Sequence, residues 1–323
     1  MDSAERDGDR NYSTVFVNEA DARKAIGAKA ALTILENFFR DRSRGATITP
    51  PRWHVNSANG DMAITAGGSE AKSIIGFRAY TTYGADDQLI AVFDMENGSL
   101  KGIVTGSYIG SIRTAAIGSL SIKYMARKDS SVLGIIGSGT QAFFQTVCAL
   151  ETMPFTRVLA YSPNRDHLEM FASRVMADTG KAVRLMGSAK EVADEADVLI
   201  LATRSSDPVI FREWVRDGSH IISVGKKFID EHELDAAIPS ICSVIATDSL
   251  DQLESYPEKH FMESSPLKAS IVELSDIISS KKIGRIGRDD VTLFLSVGLS
   301  GTEVMIANEA IERLRAWGIQ KLK

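Results

Sequence analysis

Residues Val132 to Ala142 read Val-Leu-Gly-Ile-Ile-Gly-Ser-Gly-Thr-Gln-Ala, and this stretch decides the fold. A short apolar run leads into a Gly-x-Gly-x-x-Ala turn, and apolar residues at helical spacing follow the turn. A strand that opens into a helix through such a turn is typical of dinucleotide-binding domains. Gly137 permits the tight turn, and Gly139 lets a pyrophosphate approach the backbone. The stretch therefore predicts a dinucleotide site, with an ordinary βα turn as the alternative.

Short apolar runs continue after this turn and alternate with helical patterns. The runs lie at 132–136, 157–161, 182–186, 197–202, 220–224 and 243–247. Helical spacing separates most of them, for example from Asp166 to Ala177 and from Ser188 to Glu195. This regular alternation is typical of a doubly wound parallel sheet. The predicted fold class is therefore α/β, with a Rossmann domain over residues 127–291.

The chain before the turn has a different pattern, in which helices precede a series of short strands. Apolar residues at helical spacing predict a helix that ends near Arg42. Five β patterns follow, at 53–55, 62–65, 74–83, 89–93 and 100–104. Asn97-Gly98 between the last two is a strong hairpin signal. A helix from Tyr108 to Arg127 then leads into the parallel sheet. These patterns predict a β-rich (α+β) domain built on an antiparallel meander.

The last section of the chain, from Val291 to Trp317, ends in a long helical pattern. Because this section follows the sixth predicted strand, we expect it to leave the nucleotide domain and pack against the first domain. The predicted division is therefore discontinuous. Residues 1–126 together with 292–323 form the substrate domain, and residues 127–291 form the Rossmann domain.

The composition of the 323 residues restricts the class of protein. Hydrophobic residues make up 44% and charged residues 24%, and the formal net charge is −5 with both signs interspersed. We therefore expect no nucleic-acid partner and no membrane partner. Cys148 and Cys242 are too few and too far apart for a disulfide scaffold or a zinc site, so no metal is predicted. The polar segment 1–13 has no apolar core, so we expect it to be disordered rather than a signal peptide, and the protein to be cytoplasmic.

The residues after the predicted strand Arg157 to Tyr161 bear on the choice of cofactor. In NAD-binding domains an acidic residue at the end of the second strand accepts the ribose hydroxyls. Here Ser162 and Arg165 stand near that position, and no carboxylate stands at the strand tip. A hydroxyl and a guanidinium suit a 2′-phosphate, so the sequence favours NADP(H). NAD(H), bound without the acidic contact, is the alternative.

Three arginines of the first domain are candidates for substrate binding. Arg52 follows a double proline, Arg78 interrupts an apolar strand, and Arg113 lies on the helix that leads to the nucleotide domain. Guanidinium groups suit bidentate recognition of carboxylates. A charge within an apolar strand either points to solvent or holds an anion, so both interpretations of Arg78 stay open. The sequence contains no Gly-x-Ser-x-Gly, His-Glu-x-x-His or Walker pattern.

A motif from Ile112 to Ala116, Ile-Arg-Thr-Ala-Ala, precedes the glycine turn and adds to its meaning. In this combination the chain resembles the ornithine cyclodeaminase/mu-crystallin family. The resemblance extends from about residue 15 over nearly the whole chain. It includes Tyr124 to Arg127, Ser223-Val224-Gly225, Glu233-Leu234-Asp235 and Thr292 to Leu299.

The resemblance implies a homodimer in which the first domain mediates dimerisation and binds substrate. It also implies hydride transfer between a nicotinamide and the α-carbon of an amino or imino acid. By similarity, Arg52 and Arg113 hold the substrate carboxylate. The residues that line the cofactor by similarity are Thr114, Thr140, Gln141, Thr203, Val224 and Ser296.

The chain departs from the family pattern at two places. The family commonly has Gly-x-Lys where this chain has Gly76-Phe77-Arg78, and arginine can hold a carboxylate but is a poor proton carrier. Cyclodeaminases have an aspartate two residues after the Val-Gly pair, where this chain has Lys227. A lysine there repels the δ-ammonium of ornithine, so this chain is not expected to be an ornithine cyclodeaminase. Lys227 binds a second carboxylate, donates a proton, or is a solvated loop lysine.

The sequence therefore predicts an NAD(P)H-dependent oxidoreductase acting on the C–N bond of a small amino or imino acid. An imine or ketimine reductase is the favoured form, and an amino-acid dehydrogenase is the reverse reaction. One alternative is a mu-crystallin-like protein that binds NADPH and a carboxylate ligand without turnover. Another is a redox-neutral cyclodeaminase on a diamino acid other than ornithine. Glu303, in the first turn of the last helix, either caps that helix or orients an active-site group.

Overall fold

Two β-sheets, one mixed and one parallel, organise the chain in a computed structural model that describes residues 14–83, 87–256 and 258–318. The segment 1–13, expected to be disordered, lies outside the described residues. The α/β fold class is confirmed, since a Rossmann-like parallel sheet accompanies a mostly antiparallel one. Within the described residues, no helix combines the length and the apolar character that crossing a membrane requires.

The first sheet has seven strands in the order β1-β7-β6-β5-β4-β2, with β3 paired to β4. Its strands are β1 Val15–Val17, β2 Thr47–Ile48, β3 Trp53–Ser57, β4 Gly60–Ser69, β5 Ile74–Thr81, β6 Gln88–Asp94 and β7 Leu100–Thr105. The predicted antiparallel meander is β3 to β7, and the hairpin at Asn97-Gly98 joins β6 to β7. The sheet is mixed because β1 pairs parallel to β7. The sequence pattern missed β1 since three residues are too few to show alternation.

Three helices connect this sheet to the second one, and all three pack against the last helix of the chain. They are α1 Glu19–Ala25, α2 Ala28–Arg42 and α3 Tyr108–Met125. The side chain of Asn18 caps α1 by accepting a hydrogen bond from Asp21 N at 2.9 Å. Helix α3 is buried on nearly all sides, as expected of a helix that is apolar all round. It therefore holds the residues in its first turns, including Arg113, at a fixed place between the two sheets.

The second sheet has eight strands, all parallel, in the order β10-β9-β8-β11-β12-β15-β13-β14. The strands are β8 Val132–Ile136, β9 Arg157–Tyr161, β10 Val183–Leu185, β11 Val198–Leu201, β12 His220–Ser223, β13 Cys242–Thr247, β14 Val272–Glu273 and β15 Val291–Leu295. Its helices are α4 Thr140–Leu150, α5 Arg165–Thr179, α6 Ala189–Glu195, α7 Leu250–Glu254 and α8 Leu274–Ile278. The six strands predicted from the sequence are confirmed.

Strand β15 corrects the predicted domain boundary. The prediction assigned residues 292–323 to the substrate domain, but β15 lies inside the parallel sheet between β12 and β13. Thr292 pairs with His220 on one side, and Leu293 pairs with Ile245 on the other. All five residues of β15 are buried, which is typical of a strand covered on both faces. Only the chain after Leu295 returns to the first domain.

The last helix, α9 Thr302–Ala316, packs on the first sheet as predicted. Val304 lies against Gly76 of β5, and Ile311 lies against Gly102 of β7. A Cβ at Gly102 would come within 2.7 Å of Ile311 Cδ1, so the missing side chain lets the helix approach the strand closely. This packing brings the first turn of α9 to the carboxyl ends of the parallel strands.

Candidate active site

The loop after β8 has the shape that a dinucleotide phosphate requires. Gly137 has a φ of +119°, and a Cβ there would lie 2.3 Å from the carbonyl oxygen of Ala202, so only glycine fits. Gly139 is the N-cap of α4, and a Cβ built on it would meet nothing within 4 Å. No side chain of the described residues caps the helix, which leaves its first N–H groups available to an anion. The open space and the uncapped helix fit a nicotinamide dinucleotide.

The residues around this loop are consistent with a cofactor, but they differ in exposure and in whether their polar atoms already have hydrogen-bond partners. Thr140 is exposed at the first position of α4. Gln141 has a buried Oε1 atom without a hydrogen-bond partner among the described residues. Thr114 lies on α3, and its hydroxyl donates to the carbonyl of Gly110 at 2.9 Å. Gln141 is therefore the predicted cofactor residue with an unused buried acceptor.

Ser162 and Arg165 stand at the end of β9 beside the glycine loop. The hydroxyl of Ser138 donates to Ser162 Oγ at 3.0 Å, which joins the two loops. Arg165 is exposed and pairs with Glu169 at 2.8 Å within α5. An exposed ion pair of this kind contributes little to stability. Arg165 can therefore exchange Glu169 for an anion of a bound molecule at little cost.

Buried Glu233 positions the loops that follow β11 and β12, and motif reasoning gave it no role. Its side chain accepts hydrogen bonds from Thr203 N at 3.0 Å, Thr203 Oγ1 at 2.8 Å, Ser223 Oγ at 3.0 Å and Gly225 N at 2.6 Å. One carboxylate thus fixes Thr203, the hydroxyl of Ser223 and the backbone N–H of Gly225, and the last two flank Val224. Ser296 follows the neighbouring strand β15 and donates its N–H to Ser223 O at 3.0 Å. These three predicted cofactor residues share one edge of the sheet, next to its switch point.

A buried carboxylate, Glu303, joins two of the three predicted arginines. Glu303 is 1% exposed, and its Oε1 lies 3.1 Å from Arg78 Nη1 and 3.0 Å from Arg113 Nε. Burial alone raises the pKa of Glu303, but the charges of Arg113 and Arg78 hold that pKa below its usual value. The carboxylate is therefore ionised between two guanidinium groups. Of the two roles predicted for Glu303, the structure favours orienting a site group.

Arg78 is directed entirely at protein groups. It is 7% exposed, so the interpretation as a solvated strand residue is wrong. Its Nε and Nη2 donate to Gln88 Oε1 at 3.0 and 2.5 Å, and its guanidinium lies 4.1 Å from the centre of the Tyr80 ring. Burial lowers the pKa of Arg78. These contacts favour a positioning role for Arg78, with its charge already balanced by Glu303.

Arg52 and Arg113 keep donors free and converge on one point. Arg113 Nε lies near Glu303 without hydrogen-bond geometry, and Arg113 Nη1 and Arg52 Nε have no partner among the described residues. Arg52 Nη2 and Arg113 Nη1 lie 3.0 and 3.1 Å from the position that a Cβ would take on Gly298. Buried donors without partners are costly, so these atoms mark where an anion fits. A carboxylate meets their geometry.

Asp248, at the end of β13, holds the loop beneath these arginines. It is fully buried and accepts hydrogen bonds from Val297 N and Gly298 N, both at 2.8 Å. Burial raises the pKa of Asp248, while the two backbone donors and the charge of Arg113 oppose that shift. The sequence pattern offered no signal for Asp248, because its partners lie about fifty residues further along the chain.

Lys227 lies inside the protein rather than in solvent. It is 6% exposed, so its interpretation as a solvated loop lysine is wrong. Its ammonium donates to the carbonyl of Gly225. Burial lowers the pKa of Lys227 to about 8, although Glu233 and Asp248 oppose this shift. Lys227 and Arg52 line one cavity of about 560 Å³, next to Thr203. The structure thus brings Lys227 together with the arginine and cofactor candidates.

The model of the ornithine cyclodeaminase/mu-crystallin family matches residues 13–317. The chain belongs to this family. The resemblance inferred from the sequence motifs is therefore confirmed.

Two curated proteins show the range of the family around this chain. The alanine dehydrogenase of Archaeoglobus fulgidus is 27% identical over 310 residues, which cover 93% of this chain and 94% of that protein. The ketimine reductase mu-crystallin of Macropus fuliginosus is 28% identical over 312 residues, which cover 92% and 96%.

Solved structures of the ornithine cyclodeaminase/mu-crystallin family agree with the fold. The Δ1-pyrroline-2-carboxylate reductase of Thermococcus litoralis, in complex with NADH and L-proline, has a TM-score of 0.88 at 26% identity. The comparison covers 96% of this chain and 100% of that one. An archaeal alanine dehydrogenase dimer with bound NAD has a TM-score of 0.86 at 26% identity, covering 96% and 99%. Distant homologues of this chain are therefore NAD(P)-dependent imine reductases and alanine dehydrogenase.

Proposed function

We propose that this protein is an NAD(P)H-dependent oxidoreductase acting on the C–N bond of a small amino or imino acid. In the reductive direction it is an imine reductase, and in the oxidative direction an amino-acid dehydrogenase. One observation carries the proposal. The unpartnered donors of Arg52 and Arg113 converge at the carboxyl ends of the parallel strands, beside a loop that fits a dinucleotide. A substrate carboxylate and a nicotinamide are the groups that this arrangement suits.

Each residue of the site has a distinct role in this proposal. Arg52 and Arg113 bind the α-carboxylate of the imino acid and fix its α-carbon. Arg78 and Glu303 hold the guanidinium of Arg113 in place. The cofactor, when bound, supplies the hydride that the α-carbon accepts, and the nitrogen takes a proton to complete the amine. Gly137, the free N–H groups of α4 and Gln141 hold the cofactor.

NADP(H) is the proposed preferred cofactor, with NAD(H) as the alternative. The hydroxyl of Ser162 and the exchangeable Arg165 support this preference, since they suit a 2′-phosphate. The two solved relatives described above contain NADH or NAD, so the preference is a property proposed for this chain alone. Dissociation constants for NADPH and NADH measure it directly. Glu169→Gln should tighten NADPH binding by freeing Arg165, and a clear NADH preference of the wild type would contradict the assignment.

A homodimer is the proposed assembly. The face of the first sheet opposite α9 carries exposed apolar side chains, among them Trp53, Val55 and Met62, which are 61%, 58% and 42% exposed. Val55 and Met62 are paired across β3 and β4, so these side chains share one face. Apolar faces of this kind mark interfaces, and the archaeal alanine dehydrogenase is a dimer. Light scattering of the purified protein tests the proposal.

Absorbance of the reduced nicotinamide tests the proposed reaction. A panel of 2-oxo acids with ammonium and of cyclic imino acids should include substrates that oxidise NADPH or NADH. Arg113→Met should lower kcat/KM by about a hundredfold or more, because a charge-assisted hydrogen bond to the substrate carboxylate is lost. Binding of cofactor and carboxylates without turnover across the panel would instead support the mu-crystallin-like alternative.

The buried ammonium of Lys227 argues against a cyclodeaminase, because it repels the second ammonium of a diamino acid.

A further inference from the structure

The cavity between the two sheets has a strongly cationic lining. Arg52, Arg204, Lys226 and Lys227 contribute to it, and no carboxylate is among the described residues that line it. Two of these four cations are either paired with a carboxylate or exposed to solvent. Lys226 is 2.7 Å from Glu231 and partly exposed, and Arg204 is exposed to solvent. Arg52 and Lys227 are left as the inner cations of the cavity.

Neither Arg52 nor Lys227 forms an ion pair with a carboxylate of the described residues. Lys227 is the more unusual, since its buried ammonium has a single acceptor in the part of the chain that the structure describes, the carbonyl of Gly225. Glu233 and Asp248 act on Lys227 electrostatically without pairing with it, and a buried charge without a direct ion pair is costly. The proposed function gives Arg52 a partner, the α-carboxylate, but gives Lys227 none.

We propose that Lys227 binds a second carboxylate, carried by the side chain of the substrate. This inference rests on the proposed function and names its substrate class, a 2-imino or 2-amino dicarboxylic acid. Arg52 and Arg113 hold the α-carboxylate, and Lys227 selects the side chain from the loop after β12. An apolar side chain leaves the ammonium of Lys227 unpaired, and a cationic side chain is repelled by it.

A neighbouring histidine supports a carboxylate over a phosphate. His260 is 2% exposed, and its Nδ1 accepts a hydrogen bond from Met262 N at 3.2 Å, so Nε2 carries the proton. That Nε2 has no partner among the described residues. His260 lies beside Lys227, because Phe261 N donates to Lys227 O at 2.9 Å. Burial lowers the pKa of His260 to about 3, so His260 is a neutral donor at physiological pH. His260 therefore adds no charge beside Lys227, and a single inner lysine matches the single charge of a carboxylate better than a dianion.

Two matched substrates test the inference. Pyruvate with ammonium and oxaloacetate with ammonium form imines that differ by one side-chain carboxylate. We expect kcat/KM of the wild type to be about tenfold or more higher for the oxaloacetate imine, as a charge-assisted hydrogen bond predicts. Lys227→Met should bring the ratio of the two kcat/KM values to within about threefold of one. Lys226→Met, which removes the adjacent lysine that Glu231 already balances, should keep the wild-type ratio.

The outcomes separate this inference from the proposed function. A wild type that reduces the pyruvate imine as well as the oxaloacetate imine overturns the inference and leaves the function standing. A Lys227→Met variant that loses both activities equally also overturns it, because Lys227 is then a proton donor. If the protein consumes neither of the two imines and no cyclic imino acid, the proposed function is contradicted. Binding of L-aspartate and L-alanine to the protein with oxidised cofactor then decides the subsite. The wild type must bind L-aspartate about tenfold tighter than L-alanine, and Lys227→Met must lose this difference. Otherwise the inference fails too.

Discussion

At the scale of single residues, Glu303 is the side chain on which the arrangement of the site depends. Its single carboxylate lies between the guanidinium groups of Arg78 and Arg113, and all three side chains are buried. Removal of one partner from a buried ion cluster leaves the others uncompensated, which costs about 3–5 kcal/mol. Glu303→Gln should therefore lower the free energy of unfolding by about that amount and reduce turnover.

Glu309 provides the matched control for Glu303 on the same helix. It pairs with Arg313 at 2.8 Å, and both side chains are 38% exposed. Glu309→Gln should change the free energy of unfolding by less than about 1 kcal/mol, because solvent screens the exposed pair. Urea unfolding of the two variants measures the difference. Equal stabilities would show that the Glu303 cluster does not hold the site together.

Lys227 should give stability a particular pH dependence. Burial lowers its pKa in the folded protein to about 8 from an ordinary value of 10.5, against the opposing charges of Glu233 and Asp248. Below pH about 8 both the folded and the unfolded chain carry the ammonium. The folded chain is then destabilised by the full cost of burying this charge, about 3 kcal/mol. Between pH 8 and 10.5 the unfolded chain binds more protons, so this cost disappears as pH rises.

Lys227→Met removes that cost at every pH. The variant should be more stable than the wild type near neutral pH, by an amount that approaches about 3 kcal/mol, and the difference should shrink as pH rises towards about 10. His260 is uncharged over this range, since its pKa is about 3. Urea unfolding of both proteins at two pH values measures the effect. A difference that stays constant with pH would show that Lys227 is not desolvated.

At the scale of elements, the glycine loop before α4 permits a separation of folding from cofactor binding. Gly139 and Gly27 are both N-caps with negative φ, and a Cβ on either meets nothing within 4 Å. Alanine at either position should lower stability by a similar and small amount, at most about 1 kcal/mol. Only Gly139→Ala should weaken NAD(P)H binding, by about tenfold or more, because its methyl group occupies the approach of the pyrophosphate. Cofactor affinities that are equal in the two variants would place the cofactor elsewhere.

The elements also show how far the sequence predicts this fold. Strands with strong apolar runs and the long helices are confirmed, because periodicity is a local property. Strand β15 was assigned to the wrong domain, since a buried apolar run does not reveal which sheet it joins. Strand β1 was missed because it has three residues and depends on β7 for its pairing. Sheet order is decided by packing between distant segments, which a single sequence pattern does not contain.

At the scale of the whole molecule, the site is assembled from distant parts of the chain. Arg78 comes from the first sheet, Arg113 from the helix that joins the domains, and Glu303 from the helix that follows the parallel sheet. The Arg78–Glu303 hydrogen bond alone spans 225 residues. The sequence identified the arginines and Lys227 by residue type and motif. It left the burial of Lys227 and the pairing of Glu303 open, because both depend on how the two sheets pack together.

Hydride transfer to an α-carbon is the central claim, and an isotope experiment tests it most directly. The protein is supplied with the panel of 2-oxo acids with ammonium and of cyclic imino acids. The reduced cofactor carries deuterium at both hydrogen positions of C4 of the nicotinamide. Mass spectrometry of the amino acid product then locates the label. The account predicts deuterium at the α-carbon, with one oxidised cofactor formed for each amino acid. An amino acid product without deuterium, or no consumption of the reduced cofactor with any member of the panel, would contradict it.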